Sequence, residues 1–156
     1  MYYIIDKESL YDRIDEEVSR VADEAYADSG DSLYDSIVLT SRDRNLVGRH
    51  IDDAVTALVR RAFDIVKYAP EIEMDANNEI HPTGRMQLYF YVPDLDETME
   101  GAIKEEISRY IALYAAASIF ESRHISVVPQ YTERIKASMD RAVTLLKSRK
   151  HPVDIW

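Results

Sequence analysis

The chain has no cysteine, which removes a disulfide framework, a thiolate zinc site and a cysteine nucleophile. Glycine stands at only four positions, Gly30, Gly48, Gly84 and Gly101. That leaves no phosphate-cradling loop, no dinucleotide fingerprint and no G-x-S-x-G elbow for an activated serine. Long apolar runs are missing too. The most apolar stretch, "YIALYAAASIF" from Tyr110 to Phe120, falls well short of the ~20 residues needed to cross a bilayer. The opening "MYYIIDKESLYDRIDEEV" has neither a basic flank nor a sufficient apolar run, so no signal peptide is expected. The four histidines, His50, His81, His124 and His151, form no i, i+4 pair that would present two imidazoles to a metal. No catalytic, cofactor or metal residue is therefore assigned.

What is present suits a single domain. The 156 residues are 46% hydrophobic and 31% charged, enough to build a core under a solvated surface. The net charge of −10 is unevenly spread. Residues 1–35 hold three basic and eleven acidic side chains, and residues 70–100 hold one and eight. By contrast, residues 36–69 hold six basic and four acidic, and residues 101–156 hold nine and six. An acidic surface argues against a duplex nucleic-acid binder, which needs a basic stripe facing the phosphates. Opposite charge at the two ends of one chain favours head-to-tail self-association. A merely solvating surface is the plainer alternative.

Hydrophobic periodicity predicts four helices. The first runs from about Lys7 to Asp28 on Leu10, Ile14, Val18, Val21, Ala22 and Ala25, with Gly30 as its cap. Ser41 is expected to cap the second, which runs from about Arg42 to Tyr68 on Leu46, Val47, Ile51, Ala54, Val55, Leu58, Ala62, Phe63 and Val66 and stops before Pro70. "SIVLT" before it reads equally as a short strand or a helical turn. Residues 71–93 change to β-rich alternation around the turn-rich "ANNEIHPTG" and predict a β-hairpin. In it Leu88, Phe90 and Val92 face one side, with Tyr89 and Tyr91 on the other. The third helix starts at an Asp94–Glu97 box and becomes apolar on nearly every side from Tyr110 onward, as a buried central helix would. The fourth carries Pro129 in its first turn and reaches about Ser148. The expected fold is mainly α (α+β), a four-helix-bundle-like domain over residues 1–148 with a β-hairpin inserted between two helix pairs. An arm at 149–156 follows it.

Two carboxylate clusters need weighing. "DLDE" at 94–97 reads as an acidic helix start favoured by the dipole before it reads as a hard-cation site. "ESRH", Glu121 to His124, has the Glu-x-x-His spacing of carboxylate-bridged metal bundles, but it occurs once where such bundles use it twice. The eleven tyrosines, among them Tyr68, Tyr110, Tyr114 and Tyr131, suit a core edge or an interface, with a ligand pocket as the alternative.

The stretches "DSIVLTSRDRNLVGRHIDDAVTALVRRAFDIV" and "GAIKEEISRYIALYAAASIFESR", with a hairpin between them and a final helix after them, resemble small virion proteins of tailed bacteriophages. The likeness is to the head–tail connector, or head-completion, class, and lies in the order of elements. It implies a non-enzymatic protomer that forms a homo-oligomeric ring beneath the portal. Such a protomer contacts the portal or other neck and tail proteins, without membrane or sequence-specific nucleic-acid partners. It is made in the bacterial host cytoplasm and resides in the virion. Within that expectation "SRKHPVDIW" is a docking arm. Lys147, Arg149 and Lys150 steer it, Pro152 keeps it extended and Trp156 anchors it. Tyr89 and Tyr91 supply the second interface. A fold-back of Trp156 onto its own bundle is the alternative. A small cytosolic helical regulator or ligand-binding protein is the competing function.

Overall fold

A computed structural model describes residues 2–62, 66–74, 80–90 and 97–147. Among these the chain is mainly helical. Strand β1 (Tyr2–Asp6) leads into helix α1 (Lys7–Asp23), and a one-turn helix α2 (Tyr34–Ile37) precedes α3 (Arg44–Arg61). Strands β2 (Val66–Met74) and β3 (Ile80–Phe90) follow, then α4 (Glu100–Arg123) and α5 (Val128–Leu146).

The bundle is organised around α4. Twelve of its residues are buried, including Ile103, Ile107, Tyr110, Ile111, Ile119 and Phe120. Helices α1, α3 and α5 each pack against it. Buried Ala112, Ala115, Ala116 and Ala117 lie on different sides of the helix and present little bulk, which suits an element with neighbours on several sides. The all-round apolar character from Tyr110 onward corresponds to this central position. The other long helices are amphipathic and bury one stripe each: Leu10, Ile14, Val18 and Val21 in α1; Val47, Ile51, Val55 and Leu58 in α3; Tyr131, Ser138, Ala142 and Leu146 in α5. A three-residue 3-10 turn, Ile125–Val127, reverses the chain between α4 and α5, so the two run antiparallel. At the α3–α4 contact the Tyr110 hydroxyl donates to the Ala54 carbonyl over 2.9 Å, which satisfies a phenol in a dry core.

Several boundaries differ from the sequence expectation. Helix α1 stops at Asp23 rather than Asp28, with the Glu24 N–H donating back to Ala22 and Val21. Gly30 is not its cap. It sits at φ 88° in a tight loop where Ala27 N–H donates to Asp31 O and Gly30 N–H to Ala27 O, both at 2.8 Å, with Tyr26 bridged to Ser32. The cap before α3 is built on Thr40 and Asp43 rather than Ser41, with Thr40 N–H donating to Asp43 Oδ2 at 2.9 Å. "SIVLT" begins within the single turn of α2 and continues as irregular chain.

The largest revision is at the end of α3, which stops at Arg61 instead of Tyr68; Ala62 leaves the helical region at φ −122° and ψ 35°. Val66 and Tyr68 belong to β2, where β-branched and aromatic residues fit a pleated backbone. Pro70 lies inside that strand, and the register shifts between Pro70 and Ile72, beside a residue with no N–H to give. Backbone pairing is antiparallel in the order β1-β3-β2, three strands in place of the two expected from residues 71–93. The expected Asp94 box lies outside the described residues; α4 begins after a 3-10 turn, Glu97–Met99, without a side-chain cap. Helix α5 ends at Leu146, two residues before the expected stop, and Pro129 does sit in its first turn.

Gly48 lies mid-helix in α3, and a Cβ built there meets nothing within 4 Å. It therefore serves no close helix contact. Gly48→Ala is expected to stabilise the protein by about 0.5–1 kcal/mol, through lower backbone entropy in the unfolded chain. Thermal melts of the two proteins check this; an unchanged or lower midpoint would mean that the glycine is needed where it stands.

Candidate interaction surface

The C-terminal half of α1 and the first turns of α5 lie side by side and join through one polar cluster. Glu17 and Arg20 stand three residues apart on α1, and Tyr131 and Arg134 stand three apart on α5, so each pair shares a helix face. The Tyr131 hydroxyl donates to Glu17 Oε1, which also accepts from Arg20 at 2.7 Å and Arg134 at 3.3 Å. The Arg134 guanidinium lies 5.1 Å above the Tyr131 ring, whose other contact is the buried Phe120 ring at 5.1 Å. Burial alone would raise the Glu17 carboxyl. The hydrogen bonds from Tyr131 and Arg20 and the two guanidinium charges outweigh it and hold Glu17 below the ordinary glutamate value. Burial and the facing Glu17 carboxylate push the Tyr131 phenol well up, so it stays a neutral donor.

Above this cluster is a groove of about 340 Å³ between α1 and α5, with Glu24, Ala25, His124, Val127 and Gln130 along its walls. Its flanks hold an anomaly. Tyr26 is 63% exposed and Ile125 is 71% exposed, the two exposed large hydrophobic side chains among the described residues. Each follows directly on a residue that lines this groove, Ala25 and His124 respectively. Around Tyr26 the sequence sets Asp23, Glu24, Asp28, Asp31 and Asp35, all exposed, with no lysine or arginine between Arg20 and Arg42. Arg20 and Arg134, the basic residues of the groove, are both engaged by Glu17. The surface is apolar at its flanks and acidic around them.

No family model, curated protein or solved structure matches this chain. Function has to be argued from the surface itself.

Of the residues singled out in the sequence, Lys147 is exposed and closes α5, its N–H donating to Val143 O at 3.1 Å and Thr144 O at 3.2 Å. Tyr89 is placed by backbone pairing alone, opposite Tyr2 on one side and Lys67 on the other. Tyr91, Arg149, Lys150, Pro152 and Trp156 lie outside the described residues, as does the Val92 of the expected hairpin face. Tyr110 and Tyr131 are buried in packing roles with their hydroxyls bonded.

The Glu-x-x-His pair divides between two sites. His124 faces the α1–α5 groove, whereas Glu121 lines a second groove with His50, Asp53, Tyr114 and Thr132. Burial pushes the His50 imidazole down, against the opposing charges of Asp53 and Glu121. Among the described residues no three His, Asp or Glu side chains are grouped to hold a metal. No helix among them is long and apolar enough to cross a membrane. A depression of about 650 Å³ lies between the starts of α1 and α3. Four of its charged groups pair across it, Lys7 with Asp52 at 3.0 Å and Arg44 with Glu8 at 2.5 Å.

Sequence reasoning did not find the Tyr26–Ile125 surface. Tyr26 lies inside the span expected for the first helix, and Ile125 lies between the third and fourth expected helices. The signal that could have found it was "DEAYADSGDSLYD", an aromatic in an acidic loop with no base to neutralise it.

Proposed function

We propose that this chain is a non-enzymatic structural protomer that assembles head to tail, in the manner of the head–tail connector class of tailed phages. The observation that carries the reading is the polarity of the bundle. An acidic surface with two exposed apolar side chains lies at the start of α5, and the other end of α5 leads into the basic run Lys147, Arg149 and Lys150. A contact between unlike ends is heterologous, and such contacts close into a ring when the rotation between neighbours allows it. In this reading the β-hairpin inserted between the helix pairs carries Tyr89 and Tyr91 to a neighbour. The partners are further copies of the chain, the portal and other neck or tail proteins, and the site of action is the virion after synthesis in the host cytoplasm.

Light scattering of the purified protein across concentration and salt is the test. The expected result is a mass that grows with concentration and falls back as salt screens the contact, or a discrete ring-sized species. A mass fixed at monomer or dimer, together with no binding to a portal protein, would overturn the reading in favour of a small helical regulator.

A further inference from the structure

We propose, resting on that assembly reading, that the groove between α1 and α5 flanked by Tyr26 and Ile125 receives the 148–156 segment of a second copy of this chain. The occupant is chosen on charge, chemistry and reach.

Charge comes first. The exposed carboxylates around Tyr26 face no lysine or arginine of their own loop. With Lys147 at its root, the segment "SRKHPVDIW" sets three bases against one acid. Opposite charge brings the two together and sets their orientation.

Chemistry follows. Solvent-exposed Tyr26 and Ile125, each next in the chain to a residue that lines the groove, match the apolar end of the segment, Val153, Ile155 and Trp156. A tryptophan seated between such flanks is the kind of anchor that dominates an interface.

Reach makes the second copy the donor. The 19 residues of α5 span about 28 Å, and the groove lies at the helix's start. The ten residues from 147 to 156 span at most about 35 Å when fully extended. To fill its own groove the segment must reverse at Lys147 and run almost straight along the whole of α5. A neighbour's segment meets no such restriction. Because donor and receiver occupy opposite ends of α5, each copy keeps one of each free, and addition continues until a ring closes.

Trp156 is the only tryptophan, so its emission reports the contact without a label. Three proteins decide the matter: the native chain, the receiver variant Tyr26→Ser/Ile125→Ser, and the donor variant Trp156→Ala. For the native chain, mass by light scattering is expected to rise with concentration while the emission moves to the blue. Each variant alone should need at least tenfold higher concentration to associate. An equimolar mixture of the two variants should form a dimer and stop there, because one intact groove meets one intact segment. Both receiver substitutions are at exposed positions, and Ile125→Ser alone, which leaves the Tyr26–Ser32 bridge intact, should weaken association in the same direction.

A receiver variant that associates like the native chain overturns the proposal while leaving assembly standing. So does a variant mixture that stays monomeric. A blue-shifted emission independent of concentration places the segment on its own bundle and also overturns it. A native chain that stays monomeric at every concentration overturns the proposal, and if it also fails to bind a portal protein the assembly reading goes with it.

Discussion

Phe120→Ala is expected to destabilise the protein by about 3–5 kcal/mol, the largest effect of any single truncation considered for this fold. Phe120 is fully buried, near the end of the central helix, and its ring meets that of Tyr131 at 5.1 Å with the planes tilted by 58°. Removing it takes away the transfer free energy of a whole aromatic side chain and one half of an aromatic pair. It also leaves a void at the point where α4 and α5 diverge into their connecting turn. Small side chains near the site, such as Ala116 and Ala117, cannot close over it. Total stabilities of domains this size are commonly about 5–15 kcal/mol, so a substantial part of the total is at stake. Urea denaturation followed by circular dichroism measures it: the midpoint should fall sharply with little change in slope. A loss under about 1 kcal/mol would mean that the α4–α5 end repacks freely.

The second large effect concerns Glu106, a carboxylate 7% exposed in the α4 face that meets α5. Ser138, itself fully buried, donates to it at 2.8 Å; Arg141 donates at 2.9 Å and Arg109 at 3.0 Å. Glu106→Ala removes the shared acceptor. The two arginines reach solvent and can rehydrate, but Ser138 cannot, so the expected cost is about 2–3 kcal/mol. Glu106→Gln keeps an acceptor for Ser138 and should cost less. The pH dependence separates charge from hydrogen bonding. Burial alone would raise the Glu106 carboxyl, yet the Arg141 and Ser138 hydrogen bonds and the arginine charges hold it below its ordinary 4.5. Its contribution to stability is therefore fully present above about pH 4.5 and is lost as pH falls through the lower folded value. Glu17, Asp43 and Glu105 are shifted the same way, with Asp43 held down chiefly by the hydrogen bond from Arg123 and Glu105 by that from Arg13. Acid unfolding below pH 4.5 should thus be steep for the native chain and shallower for Glu106→Gln. Identical acid slopes would show that Glu106 carries no depressed titration.

Both residues show why packing was easier to foresee than polar contacts. The apolar encirclement of α4 is written in local sequence, because a helix with no polar face has to be surrounded. Glu106, in "KEEISRY", looks like any exposed acid, and only the arrival of Ser138 and Arg141 on α5 reveals it as an internal acceptor. The end of α3 is a related case. Val66 and Tyr68 continue a helical apolar stripe as readily as they begin a strand, and the choice is made by β3, a partner distant in sequence. β1 was passed over because five residues at the start of a chain carry no period of their own until β3 pairs with them.

By itself the sequence determined a mainly helical domain, the stripes that each long helix buries, the central place of α4 and the alternation of acidic and basic segments. These follow from local periodicity and composition, which persist whatever the chain folds against. Tertiary structure alone decided which charges face one another, as Arg123 reaches Asp43 at 2.7 Å and Tyr131 reaches Glu17. It also decided that Ala25 and His124, 99 positions apart in the sequence, line one groove and bring exposed Tyr26 and Ile125 next to it in the chain. Contacts of that kind depend on the crossing of helices in space, and no short window of sequence contains both partners.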